Sequence, residues 1–319
     1  MRPAIQQPAF ALLVLAAGCG IQLHPVPGGA TDLETVHSIE WEGRTRTFRV
    51  YVPSAAAPGH AGPRPLVFAF HGWGGNAAGF SRLTGLSEVA ERNGFVVVYP
   101  EGLGGNWNDG RPGINPTVDD LGFIAALMDD MRARHDIDPR RVYATGLSNG
   151  GHMSNRLAIE LSDRIAAIAP VAALVSRATS ESSTPGRAVP VMLIVGDSDP
   201  IMPYAGGVVR AFFARRGEVL SASEVAAFWI RRNLAQPAAI IHLEPDRNPG
   251  DGTRARTEMH PALPGTGGAE FVLVVVLGGG HTWPGANQYL STMIFGRTCR
   301  DFSGSELIWE FLSRNALPE

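Results

Sequence analysis

Three residues far apart in the chain have the types and the order that acyl transfer needs. Ser148 sits in Gly146-Leu147-Ser148-Asn149-Gly150, a G-x-S-x-G pattern. Such a serine is a nucleophile when a strand precedes it and a helix follows, because the glycines let chain pass close behind a sharp turn. A hydroxyl is a weak nucleophile until a base takes its proton, and the base needs an acid to orient it. On a strand-turn-helix scaffold the chain order is serine, acid, histidine. "VPVMLIVGDSDPIMPY" places Asp197 and Asp199 beyond an apolar run, and "LGGGHTWPG" places His281 just past another. Asp199 precedes a proline, lies deeper in its loop and is the preferred acid. Asp197 is the alternative, and a turn-capping carboxylate is the ordinary role for the one left over.

Other histidines compete for the base. His152 falls four residues after Ser148, about one helical turn, and reads as a helix residue packing beside the elbow. His71 opens "HGWGGN" directly after the run "PLVFAF". A His-Gly stretch at that place supplies the second backbone donor of an oxyanion hole. The two donors are then the N–H groups of Trp73 and Asn149, and His71 holds the loop. "NWNDGRP", with Trp107 and Asp109, is as well explained by a structural turn.

These residues need a scaffold that brings strand ends together. "PLVFAF", "GFVVVYP", "RVYATGL", "IAAIAPVAAL", "VPVMLIVGD" and "FVLVVVLGGG" are near-continuous apolar runs, the pattern of strands buried on both faces. Between them "VDDLGFIAALMDDMRARH" carries Leu121, Ile124, Leu127 and Met131 at helical spacing. "NGGHMSNRLAIEL", "SASEVAAFWIRRNL" and "SGSELIWEFLSRN" are further helices, the second opening on a Ser-x-x-Glu capping pattern. Alternation of this kind predicts an α/β fold with a mostly parallel sheet and helices on both faces. Ahead of it, "HSIEWEGRTRTFRVYVP" alternates around a Glu-Gly turn and predicts an antiparallel hairpin.

Composition excludes several classes. With 319 residues, 45% hydrophobic and 18% charged, the chain can bury a large core. A net charge of −3 without a basic cluster argues against nucleic acid as a partner. Every basic residue is arginine, so a lysine Schiff base is excluded. The two cysteines, Cys19 and Cys299, make neither a disulfide framework nor a thiolate zinc site. The apolar run from Phe10 to Ala17 is too short to span a bilayer and reads as an export signal. "LAAGC" resembles a bacterial lipobox, which would anchor the chain through a lipid on Cys19; an ordinary cleaved signal is the alternative. The expected organisation is a signal over 1–19, a tether over 20–35 and one catalytic domain over 36–316.

"HGWGGN", "GFVVVYPEGL", "NWNDGR", "VDDLGFI", "RVYATGLSNGGHMS", "GDSDPIMPY", "GGGHTWPG" and "SELIWEFL" occur in an order that resembles the polyhydroxybutyrate depolymerase/feruloyl esterase family of α/β-hydrolases. The resemblance covers roughly residues 36–316. It implies Ser148 as nucleophile, Asp199 as acid, His281 as base and no metal or organic cofactor. One departure is Val195 before Gly196, where the family often has histidine. The resemblance also puts the loops of Trp73, Trp107, Tyr204 and Trp283 near the catalytic face. Trp107, Tyr204 and Trp283 are then expected to line the substrate site. Aromatic walls suit feruloyl-type esters and hydroxyalkanoate oligomers alike, and the absence of a polymer-binding module favours small or oligomeric esters. A peptidase of the same fold, or an exported relic that binds without catalysis, are the competing readings.

Overall fold

The computed structural model describes residues 34–54, 62–211, 214–288 and 290–319. The expected signal, Cys19 and nearly all of the tether lie outside the described residues. Thr35–Trp41 (β1) and Arg44–Tyr51 (β2) form the expected hairpin. Its turn, Glu42-Gly43, has φ of 48° and 68°. Positive φ at both central residues gives a turn whose twist matches that of the flanking strands.

Next come Arg64–Phe70 (β3), the helices Ala77–Thr84 (α1) and Leu86–Asn93 (α2), and Val96–Pro100 (β4). Helix α3, Asp120–Arg134, leads to the strand Ile137–Leu147 (β5), and Asn149–Glu160 (α4) to Ala167–Val171 (β6). After the short helix Arg177–Ser182 (α5) the chain returns as Val191–Gly196 (β7). A separate hairpin, Gly207–Ala211 (β8) with Ala214–Val219 (β9), precedes Ala222–Arg232 (α6). The capping box of α6 is present: the Ser221 hydroxyl accepts from the Glu224 N–H, and Glu224 accepts from the Ser221 N–H. Ile240–Leu243 (β10), Arg254–His260 (β11), Phe271–Leu277 (β12), Thr292–Phe295 (α7) and Gly304–Leu312 (α8) complete the order.

Ten strands form one sheet in the order β1-β2-β4-β3-β5-β6-β7-β12-β11-β10. The block from β4 to β12 is parallel, flanked by antiparallel strands on both sides. This is the α/β-hydrolase arrangement. Strand β3 shows why its sequence lacks alternation. Leu66, Phe68 and Phe70 pack on one face with Phe123, Ile124 and Leu127 of α3 and Met153 and Leu157 of α4. Val67 and Ala69 pack on the other with Phe80 of α1, Val89 of α2 and Phe311 of α8. Both faces are covered, so every position must be apolar. Strand β10 forms one edge, with all four residues exposed. Among the described residues no helix is long and apolar enough to cross a membrane.

A buried ion pair holds the loop after β4 to the start of α3. Arg46 of β2 lies over the Phe123 ring at 3.9 Å and donates to Asp120 Oδ1 at 2.6 Å. Asp120 Oδ2 accepts the Asn108 N–H at 2.6 Å, which ties the loop between β4 and α3 to the helix start. Removing one partner of such a pair leaves an uncompensated buried charge. Arg46→Leu is therefore expected to cost about 3–5 kcal/mol of folding stability, read from urea unfolding at neutral pH.

Candidate active site

The site forms where strands β5, β7 and β12 end on the same edge of the sheet, the side on which parallel α/β sheets gather their ligands. Ser148 links β5 directly to α4 with φ 56° and ψ −116°, a backbone conformation that a non-glycine residue rarely holds. Its N–H is anchored on the Val171 carbonyl at 2.9 Å. The strain persists because the chain crosses itself here: a β-carbon on Gly150 would lie 2.1 Å from the Phe70 carbonyl oxygen. Only glycine at that position lets the end of β3 pass beneath the elbow.

Asp199 follows β7, and its side chain is buried. Its Oδ1 accepts the N–H groups of Ile201 and Met202, both at 2.8 Å. Its Oδ2 pairs with His281 Nδ1 at 2.7 Å. His281 follows β12, and its N–H donates to the Phe295 carbonyl. The two loops touch at Gly196, where a β-carbon would lie 2.3 Å from the Gly279 carbonyl oxygen. Asp197 is engaged elsewhere. Its Oδ1 accepts the Gly278 N–H at 2.7 Å and so closes the turn after β12. The pairing of Asp199 with the histidine distinguishes the two aspartates.

The loop after β3 packs against the serine. A β-carbon on Gly72 would lie 3.7 Å from that of Ser148. His71 is buried and its tautomer is defined by its partners. Nδ1–H donates to the Gly72 carbonyl at 2.8 Å, and Nε2 accepts the Gly102 N–H at 3.0 Å. Burial lowers its pKa to about 4, so the ring is neutral at neutral pH. Trp73 follows, 40% exposed, with the Arg216 guanidinium 4.2 Å above its ring.

Asn149 is the first residue of α4, and its N–H therefore has no intrahelical acceptor. The side chain, for which the sequence suggested no role, is fully engaged. Nδ2 donates to Asp109 Oδ2 at 2.6 Å and to the Trp107 carbonyl at 3.1 Å, while Oδ1 accepts the Trp107 N–H at 2.8 Å. Asp109 is buried and accepts from Arg111 Nε and Nη2. Burial works to raise the Asp109 carboxyl; the Arg111 guanidinium and the Asn149 amide outweigh it and hold it below the usual carboxylate range. Arg111 Nη1 reaches on to the Arg216 carbonyl at 2.9 Å. Asp109 and Arg111 brace the elbow through Asn149, a part that a turn reading of "NWNDGRP" passes over. The signal was an acid and an arginine two residues apart in a loop otherwise built from Asn, Gly and Pro. His152 packs beside this network, buried, with Nε2 unpaired. Burial first, then Arg111, pulls its pKa down to about 3.

Two expected substrate contacts are corrected. Trp107 is wholly buried, edge-on to Phe70 at 5.1 Å, and its indole N–H donates to the His71 carbonyl at 3.0 Å. Trp283 is 1% exposed, edge-on to Phe80, and its N–H donates to Ser305 Oγ at 3.0 Å. Both indoles clamp loops, because their faces are packed and their donors are taken. Tyr204 is half-buried in the loop beyond Asp199, beside Glu258 and Arg256 of β11.

The protein-family model described as "Esterase PHB depolymerase" matches residues 46–227. The chain is 32% identical over 304 residues to "Putative esterase NocK" of Nocardia uniformis subsp. tsuyamanensis, a match spanning 92% of this chain and 85% of the relative. It is 27% identical over 224 residues to "Feruloyl esterase B" of Piromyces equi, spanning 68% of this chain but only 39% of that protein's length. Among solved structures, an S-formylglutathione hydrolase from Agrobacterium tumefaciens superposes with a TM-score of 0.52 at 16% identity, over 89% of this chain and 98% of that one. The last likeness is one of fold.

Between pH 6.5 and about 4 an unfolded His71 binds a proton that the folded chain refuses. Its contribution is thus full above pH 6.5 and is lost as the pH falls toward 4. His152, with a still lower pKa, adds a slope of the same sign. The urea midpoint is expected to drop between pH 7 and pH 4.5. His71→Asn should start lower at pH 7 and lose less over that range.

Proposed function

Since the chain belongs to the esterase family of the PHB depolymerases, and is a carboxylic ester hydrolase, we propose that it acts through Ser148, His281 and Asp199 by way of an acyl-enzyme. The observation that carries this reading is the 2.7 Å bond between His281 Nδ1 and Asp199 Oδ2. An ionised carboxylate only accepts, so Nδ1 carries the proton and Nε2 keeps its lone pair. That is the tautomer a general base needs. Asp199 has its other oxygen held by two backbone N–H groups, which supports its role as a fixed orienting acid.

His281 takes the Ser148 proton as the hydroxyl oxygen attacks the ester carbonyl. The resulting oxyanion is held by the N–H groups of Trp73 and Asn149; each such donor is typically worth about a hundred- to a thousandfold in rate. His281 then gives its proton to the leaving alcohol, and the acyl group stays on Ser148. Water, deprotonated by the same imidazole, releases the acid and restores the serine. The substrates of this reading are small or oligomeric esters, feruloyl-type or hydroxyalkanoate. With Trp107 and Trp283 packed away, the exposed ring of Trp73 and the half-buried ring of Tyr204 are the aromatic surfaces left to meet them.

Purified protein is expected to hydrolyse p-nitrophenyl acetate and at least one of methyl ferulate and a hydroxybutyrate trimer, and to leave a dipeptide amide intact. Ser148→Ala should lower kcat by about 10⁴-fold or more with its unfolding midpoint little changed. Amide cleavage alone would favour the peptidase, and full activity in Ser148→Ala would remove the nucleophile assignment. Export with acylation at Cys19 belongs to the same proposal. In a bacterial host the chain should incorporate labelled fatty acid, and Cys19→Ser should not.

A further inference from the structure

Arg216 stands out among the charges around the site. Its backbone carbonyl is held by Arg111, and through Arg111 by the Asp109–Asn149 network behind the elbow. Its guanidinium lies 4.2 Å above the ring of Trp73, one residue on from Gly72, which touches Ser148. Two independent contacts thus fix a cation at the rim of the site. The cation has no counter-charge: among the described residues no carboxylate lies within ion-pair distance of Arg216, and Nε is buried without a partner. Glu218, the acid of β9, is exposed and forms no pair with it.

The same hairpin carries Arg210 and Arg215 directly opposite each other in the strand register, both exposed and neither ion-paired among the described residues. Like charges facing each other across strands repel. In a chain whose net charge is −3, this is a local excess of positive charge on the hairpin that carries Arg216. A guanidinium stacked on an indole keeps its outer N–H groups in one plane, the geometry that matches a carboxylate.

Resting on the Ser148 reading, we propose that Arg216 forms an anion subsite, which binds a free carboxylate on the ester substrate, such as the acid end of a short hydroxyalkanoate oligomer. Esters carrying a carboxylate near the scissile bond are then better substrates than neutral esters of the same shape. The subsite adds no chemical step. It holds one end of the substrate while the Ser148 chemistry proceeds at the other.

The test compares a linear hydroxybutyrate dimer, with one ester bond and a free acid end, against the same dimer capped as its terminal methylamide. Wild type is expected to favour the acid by about ten- to a hundredfold in kcat/KM, the range for a hydrogen bond to a charged group. That ratio should shrink as ionic strength rises. Arg216→Leu should bring the ratio to about one. Arg216→Lys, which keeps the charge and loses the planar fork, should fall between. If Arg216 merely clamps Trp73, its loss slows both dimers alike and the ratio survives, which overturns the proposal. A wild type active on p-nitrophenyl acetate but indifferent to the carboxylate overturns it equally. A wild type inert towards p-nitrophenyl acetate brings down the serine esterase reading, and the subsite with it.

Discussion

The side chain of Asn149 joins the two halves of the site. An amide has two donor hydrogens and an acceptor oxygen, and here all are used within one buried loop. The elbow is strained and rests on chain that passes too close for any side chain, so it needs a second support. A buried carboxylate supplies that support, and its charge is tolerable because Arg111 engages both of its oxygens. Each member depends on the next. Without Arg111 the carboxylate is a buried charge alone; without the carboxylate the amide loses its shortest bond and the first turn of α4 its brace.

The neutral histidines follow the same logic of burial. His71 works as a two-ended connector between the loops after β3 and β4, donating to Gly72 from one nitrogen and accepting from Gly102 at the other. A protonated ring could only donate, so the connector works in one charge state. His152 is buried and is likewise kept neutral, first by burial and then by the charge of Arg111. A neutral ring there adds no positive charge to the neighbourhood of Arg111 and His281.

Much of this was legible in the sequence because it rests on local rules. Strand β3 and its parallel partners showed as unbroken apolar runs, and the capping box of α6 as Ser221 and Glu224. Ser148, Asp199 and His281 stood out by strand-end position and chain order. What was not legible depends on long-range packing. Strands β9 and β11 are rich in arginine and polar residues, and β10 exposes all four of its residues, so none of them carries a periodic core signal. Trp107 and Trp283 have the composition of substrate walls, and only the tertiary fold decides whether an indole faces a cavity or a neighbour. The choice between Asp197 and Asp199 turned on which carboxylate met an imidazole 82 residues further on.

The anchoring of Trp283 has a consequence in time. It lies two residues beyond His281, packs on Phe80 of α1 and donates to Ser305 at the start of α8, whose hydroxyl in turn bonds the Thr84 carbonyl. Ser148, Asp199 and the oxyanion loop all precede the histidine loop in order of synthesis. The indole of Trp283 therefore gains its footing only after residues 303–312 have been made and docked. A partly synthesised or partly unfolded chain can thus pair Asp199 with His281 and still leave the loop just beyond the histidine loose, because its indole anchor arrives only with α8.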